Sequence, residues 1–197
     1  MPAAARKITA ADILPDAAFA AERKARRAAL LPAKRLRRVA LGPWATAYFE
    51  SYETMLFQVQ EMLLIEKGGA AQVADELAAY NPMIPQGAEL TATLMFEIDD
   101  PVRRARVLAE LGGVEDRFFL EIDGERAAAV QEGDIERTRE DGKTSSVHFL
   151  HFPLTPAQVA AFKAPAARVM VGCDHPRYAH LAVLSDASRA ELAKDLA

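Results

Sequence analysis

The sequence has few of the features that cross-link a chain or anchor it in a membrane. It contains one cysteine, Cys173, among 197 residues. A disulfide framework and a four-thiolate zinc or iron–sulfur site within the chain are therefore excluded. No apolar run reaches the roughly 18 to 20 residues needed to cross a bilayer. Within residues 1–7, the charged Arg6 and Lys7 come before any apolar segment of the kind that forms the core of a signal peptide. We therefore expect a cytoplasmic protein.

Several motifs of known chemistry are also missing. Neither the P-loop pattern nor the dinucleotide-binding fingerprint occurs, and the glycine pair Gly68-Gly69 is typical of a helix end. A diiron bundle needs Glu-x-x-His motifs on its helices. Every histidine lies beyond residue 147, so a self-contained ferritin-type centre is not expected.

The sequence does have a strong charge asymmetry. Residues 1–41, the basic arm, carry ten Lys or Arg and three acids and therefore a net charge of +7, whereas residues 42–197 carry −11. Such an arm either docks on the acidic body of its own or a neighbouring subunit or binds nucleic acid. It lacks the interleaved aromatic residues of a stacking platform. Docking or a plainly solvated arm is therefore favoured over nucleic-acid binding, and a homodimer is one form that docking could take.

The N-terminal half predicts helices. Its segments are a helix over residues 13–31, a strand or extended link over 35–41, a long helix over 44–67 and a further helix over 71–80. Pro32 is expected to stop or kink the first helix. In the segment 44–67, apolar residues recur at helical spacing around most of the surface, which indicates a central, largely buried helix.

The C-terminal half predicts hairpins joined by short helices. The expected strands are 89–98, 117–122, 125–130, 135–139, 144–152, 168–173 and 179–184. Asp123-Gly124 and Asp141-Gly142 are strong hairpin-turn signals, and Thr155 begins a capping box. We therefore predict an α+β fold, with an antiparallel sheet of about six to seven strands packed against the long central helix. The basic helical arm precedes a single domain over residues 42–197.

Six stretches together carry a family resemblance. They are Gly42-Pro43 leading into Phe49-Glu50, then Glu53-Thr54, Gln58–Leu63, Glu76–Pro85, Glu97–Pro101 and Val147–Phe152. The chain resembles, over nearly its whole length, the bacterial family catalogued as domain of unknown function 3501. The resemblance implies a free-standing protein without an assigned activity, whose genes often lie near those for rubrerythrin-type diiron proteins and iron–sulfur oxidoreductases. It therefore implies an accessory or interaction protein of an oxidative-stress or iron-redox system, with such a redox protein as partner.

Acidic residues of the predicted central helix form the first candidate site. Glu50 and Glu53 are one turn apart and could share a cation. Glu61 lies roughly 16 Å from Glu50 along the helix axis, which is too far to bind the same ion. The alternative is a row of ion pairs in which Arg35, Arg37 or Arg38 packs against these acids.

The C-terminal cluster of Cys173, His175 and His180 is the second candidate. Thiolate and imidazole are usual ligands for iron or zinc. The strand 144–152 could add a further ligand, which would be either His148 or His151, because an offset of three places them on opposite faces of a strand. The alternatives are a buried apolar cysteine, core histidines, or a nucleophilic thiol.

Binding residues are expected in the basic arm and at one turn. Arg35, Arg37 and Arg38 are candidate contacts for an acidic partner, and Tyr80 begins a rigid, aromatic-tipped turn that could line a pocket. The functional alternatives to the accessory role are a metal-binding protein or metal-dependent enzyme, and nucleic-acid binding through the arm. Whether the protein is an enzyme stays open at this point.

Overall fold

The computed structural model describes residues 6–133 and 142–197 and has an α+β architecture. Its helices are α1 (Asp16–Leu36), α2 (Tyr52–Glu66), α3 (Gly69–Tyr80), α4 (Pro101–Ala109), α5 (Pro156–Lys163) and α6 (Asp186–Leu192). Its strands are β1 (Arg38–Leu41), β2 (Ala45–Phe49), β3 (Glu89–Phe96), β4 (Phe118–Ile122), β5 (Glu125–Ala128), β6 (Val130–Gln131), β7 (Val147–Pro153), β8 (Val169–His175) and β9 (Tyr178–Val183). None of the described helices combines the length and hydrophobicity that crossing a membrane requires.

The strands form two antiparallel sheets and not the single sheet that the sequence predicted. The strand order is β1-β2-β3-β7-β6 in the five-stranded sheet and β5-β4-β8-β9 in the four-stranded sheet. Leu94 and Leu150 of the first sheet belong to the same buried core cluster as Leu120 and Val171 of the second. Each sheet has one apolar face that must be covered, and the two sheets cover each other.

The predicted long helix over residues 44–67 is wrong in its first part. Residues 45–49 form β2, which pairs with β1 through the turn at Gly42. The helix starts only after Ser51, whose side chain accepts a hydrogen bond from the backbone N–H of Thr54, while the Thr54 hydroxyl accepts one from the Ser51 N–H. This reciprocal cap ends the extended segment and begins α2.

The basic arm lies against the rest of its own chain. α1 continues through Pro32 to Leu36 and packs on α2, where the rings of Phe19 and Phe57 meet edge to face at 5.6 Å. Arg23 pairs with Glu61 of α2 at 2.6 Å. Pro32, which was expected to stop or kink the first helix, does not end it, and packing on α2 contributes to the stability of α1.

Most local signals of the C-terminal half are confirmed. β4 and β5 pair around Asp123-Gly124, and Thr155 caps α5 with the expected capping box. The predicted strand 135–139 and its turn at Asp141 lie outside the described residues. In the described part of the chain, β7 pairs with β3 and with β6.

The chain end is built into the core. Leu196 is 5% exposed, and the backbone N–H of Ala197 donates to the carbonyl oxygen of Gly87 at 2.7 Å. The Arg37 guanidinium donates to the Asp195 carboxylate at 2.6 Å and to Glu191 at 3.1 Å. The last residues of the chain therefore hold the start of β1.

The helices α1–α3 cover the outer face of the five-stranded sheet. A second apolar cluster lies there, with Met55, Val59 and Met83 at its centre and Phe149 of β7 packed against it. This layer leaves an internal space between the sheet and the helices, which is where the candidate site lies.

Candidate functional site

A cavity of about 390 Å³ lies between the outer face of the five-stranded sheet and the helices above it. Strands β2, β3 and β7 supply its floor, and α1, α2 and the turn after α3 supply its sides. Its walls are mainly apolar and include Phe49, Met55, Met83, Met95, Val147 and Phe149. Methionine side chains are flexible and polarizable, so such walls can adapt to ligands of different shape. The volume is within the range of small-molecule sites.

Glu50 provides an acidic group in this apolar cavity. It follows β2 directly, and its backbone N–H donates to the carbonyl oxygen of Thr91, which fixes its position beside β3. Its carboxylate oxygens accept hydrogen bonds from the hydroxyls of Thr54 at 2.6 Å and Thr93 at 2.7 Å. Each oxygen keeps acceptor capacity after these bonds, because an ionised carboxylate offers about four lone-pair sites.

The protein around Glu50 changes its acidity. Desolvation by the surrounding groups raises the pKa of the Glu50 carboxyl, and this exceeds the opposing effects of the hydroxyls of Thr54 and Thr93 and of the positive charges of Lys34 and Arg37. Perturbed carboxyl groups in cavities are frequent at functional sites. A positively charged group placed beside Glu50 would offset the cost of its burial.

Arg37 connects the cavity to the chain end. One of its guanidinium nitrogens donates to the backbone carbonyl oxygen of Glu50 at 2.9 Å and to Asp195 at 2.6 Å. Burial by itself lowers the pKa of Arg37, but the hydrogen bonds and charges of Asp195 and Glu191 outweigh this and raise it. The guanidinium therefore stays charged and holds the Glu50 backbone in place.

Three residues selected from the sequence meet at this cavity. Glu50, Arg37 and Tyr80 all line it. The ion-pair alternative had placed Arg37 near the acidic row, but nothing in the sequence placed Tyr80 beside them. Glu53 is exposed and accepts a hydrogen bond from the Ser51 hydroxyl at 2.9 Å. Glu61 forms an ion pair, as the alternative interpretation proposed, but its partner is Arg23.

The other two arginines predicted to bind a partner lie at a neighbouring groove. Arg35 and Arg38 line a groove of about 460 Å³ that also contacts Tyr48. Arg38 is 3.2 Å from Glu97 and lies over the Tyr48 ring at 5.5 Å. Arg38 is therefore partly engaged within its own chain.

The C-terminal cluster is dispersed over one hairpin. Cys173 of β8 lies opposite His180 of β9, and the ring centroids of His180 and Tyr178 are 4.5 Å apart in an edge-to-face arrangement. His175 accepts a hydrogen bond from the backbone N–H of Arg177. Burial raises the pKa of the Cys173 thiol to about 11, which disfavours the nucleophilic thiolate at neutral pH.

Metal binding gains no support from these positions. Within residues 6–133 and 142–197, no three His, Cys, Asp or Glu side chains gather in a way that could hold a metal ion. His148 and His151 lie on opposite faces of β7, as expected. His148 faces the core, and His151 lies between the carboxylates of Glu89 and Glu132.

Sequence reasoning missed the residues that complete the cavity. Thr93, Met95 and Phe149 belong to strands that the sequence did predict, and they occupy the same face of the sheet. Thr91 and Thr93 are polar residues that alternate with buried Leu90, Ala92 and Leu94. That alternation shows which side chains share a face, but not that Glu50, which follows a different strand, lies beside them.

Comparison with known proteins places the chain among its relatives. The crystal structure of a novel protein of unknown function from Burkholderia pseudomallei K96243 shares 38% sequence identity with it at a TM-score of 0.89, covering 97% of this chain and 100% of that chain. A search of curated proteins finds no match. The family model described as "Protein of unknown function (DUF3501)" matches residues 7–196. The chain therefore belongs to the DUF3501 family, as its sequence resemblance indicated.

Proposed function

We propose that this protein binds a small, mainly apolar molecule whose amino group lies against the Glu50 carboxylate. The observation that carries this proposal is the position of Glu50, which presents a hydrogen-bonded carboxylate in a cavity with largely apolar walls. A few polar groups in an apolar cavity are the usual composition of a ligand site.

The amino group is favoured by the chemistry of Glu50. Two threonine hydroxyls already donate to the carboxylate, and the remaining lone pairs can accept further N–H donors. A cation at this point compensates for the desolvation of Glu50, which a neutral ligand would not do. The methionine and phenylalanine side chains of the walls then contact the apolar body of the ligand.

Calorimetric titration with primary n-alkylamines from butylamine to octylamine tests this proposal. We expect affinity to rise with chain length, because each buried methylene contributes about 0.8 kcal/mol. Glu50→Gln should lower the affinity for octylamine at least about tenfold, because a buried charge-assisted hydrogen bond contributes about 1.5–3 kcal/mol.

Glu53→Gln is the matched control, since Glu53 lies one turn away on α2 and is exposed. It should leave octylamine affinity unchanged. Octylamine that does not bind, or that binds equally to wild type and Glu50→Gln, would contradict the proposal.

As the cellular setting of this binding, we propose the accessory role in an oxidative-stress or iron-redox system. Its support is the family resemblance, and its partner would be a rubrerythrin-type or iron–sulfur redox protein. Capture from the native host with wild-type protein and Glu50→Gln tests it. Recovery of no redox protein would count against it.

A further inference from the structure

The groove beside α1 opens next to the Glu50 cavity. We call it the basic groove and define it by Arg27, Lys34, Arg35, Arg38, Tyr48 and Phe57. Lys34 and Tyr48 line both the basic groove and the Glu50 cavity. The two spaces are therefore neighbours that share part of their lining, and one elongated molecule could occupy both.

Three cations of the basic groove, Arg27, Lys34 and Arg35, form no salt bridge within residues 6–133 and 142–197. Arg38, in contrast, pairs with Glu97. The three side chains are exposed on α1. They are placed to accept an anion without first breaking an internal ion pair.

We infer that the molecule bound at Glu50 carries an anionic group, a carboxylate or a phosphate, that lies in the basic groove against Lys34 and Arg35. This inference rests on the proposed function, since it assumes an amine at Glu50. The ligand class is then an elongated zwitterion, with an amino end in the cavity, an apolar middle and an anionic end in the groove.

The charges around the cavity support a zwitterion over a simple amine. Lys34 and Arg37 act electrostatically on Glu50 from the side of α1, so a lone ammonium group entering the cavity meets repulsion from them. An anionic end beside Lys34 removes part of that repulsion. Phe57 and the half-exposed Leu31 offer apolar surface along the groove.

A small anion fits this groove better than nucleic acid does. Strong nucleic-acid binding requires many phosphate contacts. Arg23, Arg37 and Arg38 of the basic arm already pair with Glu61, Asp195 and Glu97. Of the arm cations that form no salt bridge in the described residues, Arg27, Lys34 and Arg35 line the basic groove, and Lys34 also lines the Glu50 cavity.

The test compares octylamine with 8-aminooctanoate and 8-aminooctyl phosphate by calorimetric titration. Wild type should bind both zwitterions about five- to tenfold more tightly than octylamine, as two partly exposed ion pairs would give. The double variant Lys34→Gln/Arg35→Gln should lose this preference but still bind octylamine, at least as tightly as wild type, because the repulsion between Lys34 and the ammonium group is removed. Lys24→Gln, an exposed position of α1 outside both spaces, should keep the preference.

The possible outcomes separate this inference from the proposed function. Octylamine binding without a preference for the zwitterions, or a preference that survives in Lys34→Gln/Arg35→Gln, overturns the inference alone. Failure of all three probes overturns both. Tight, strongly salt-dependent binding of single-stranded DNA in place of these probes would also overturn the inference. Where the zwitterions are preferred, amino carboxylates of four to twelve carbons show which chain length spans the distance between Glu50 and the basic groove.

Discussion

The Thr93 hydroxyl donates to the Glu50 carboxylate at 2.7 Å, although 43 residues separate the two in sequence. This bond joins the middle of β3 to the segment between β2 and α2. It holds the carboxylate at the cavity, where desolvation raises its pKa. The site therefore keeps an acid at a position where burying an apolar side chain would cost less free energy.

Glu50→Gln is expected to stabilise the protein while it weakens ligand binding. The folded-state pKa of Glu50 is raised, so folding favours the protonated form, and stability is lost as pH rises above the unfolded value of about 4.3. The variant should therefore match wild type near pH 4 and exceed it at pH 8. Urea unfolding at both pH values measures this, and equal pH dependence of the two proteins would contradict it.

Asp195→Asn is expected to lower the free energy of unfolding by about 3 kcal/mol, because it leaves the buried Arg37 charge incompletely paired. The side chains of Arg37 and Asp195 are 5% and 2% exposed. Asp186→Asn, at a 97% exposed side chain, is the control and should change stability by less than about 0.5 kcal/mol. Urea unfolding at pH 7 measures both, and similar losses for the two variants would show that the buried pair is dispensable.

Gly42→Ala is expected to destabilise the protein by about 2 kcal/mol or more, because a left-handed backbone costs an alanine about 1–2 kcal/mol. Gly42 has a φ of 68°. A Cβ at this position would also approach the His180 ring to 2.5 Å. Thermal unfolding measures the loss.

The ring contact can be separated from the backbone strain by a double-mutant cycle. In a His180→Ala background, Gly42→Ala should cost less, since only the backbone strain remains. The same cost in both backgrounds would show that the ring moves away without penalty.

The pKa of His151 should lie above its ordinary value, because its ring lies between two carboxylates. The hydrogen bond to Glu89 raises the pKa most, the partial burial of the ring opposes it, and Glu132 adds to the increase. The resulting stability is fully present below the unfolded pKa of about 6.5 and is lost as pH rises through the folded pKa.

Histidine NMR titration of wild type and Glu89→Gln checks this. The midpoint of His151 should fall in the variant. A wild-type midpoint at or below about 6.5 would refute the expected stabilisation.

The sequence predicted the elements whose signals are local. Asp123-Gly124 identified its hairpin, and Thr155 identified the start of α5, because turn and cap chemistry depends on a few adjacent residues. Residues 45–49 were misassigned, since their apolar side chains also fit a helical period. They form a strand because β1 and β3 flank them and because the second sheet covers their inner face.

The site was predictable as separate residues, apart from the alternative in which Arg37 packs against the acidic row. Glu50, Arg37 and Tyr80 were selected for different reasons, as a metal ligand, an arm cation and a turn residue. Their meeting depends on strand register and on the packing of α1 and α2, which no local pattern encodes. Thr93 and Met95 had no chemical signature, because their role comes from the neighbours that the fold gives them.

The pairing of Arg37 with Asp195 has a consequence for the order of folding. The two residues are 158 positions apart in sequence, and both side chains are buried. Until the segment around Asp195 packs against β1, Arg37 lacks its main counter-charge and one side of the core stays open. Contacts of such long sequence separation form late and slow folding. The closure of this side of the core is therefore expected among the last steps of folding.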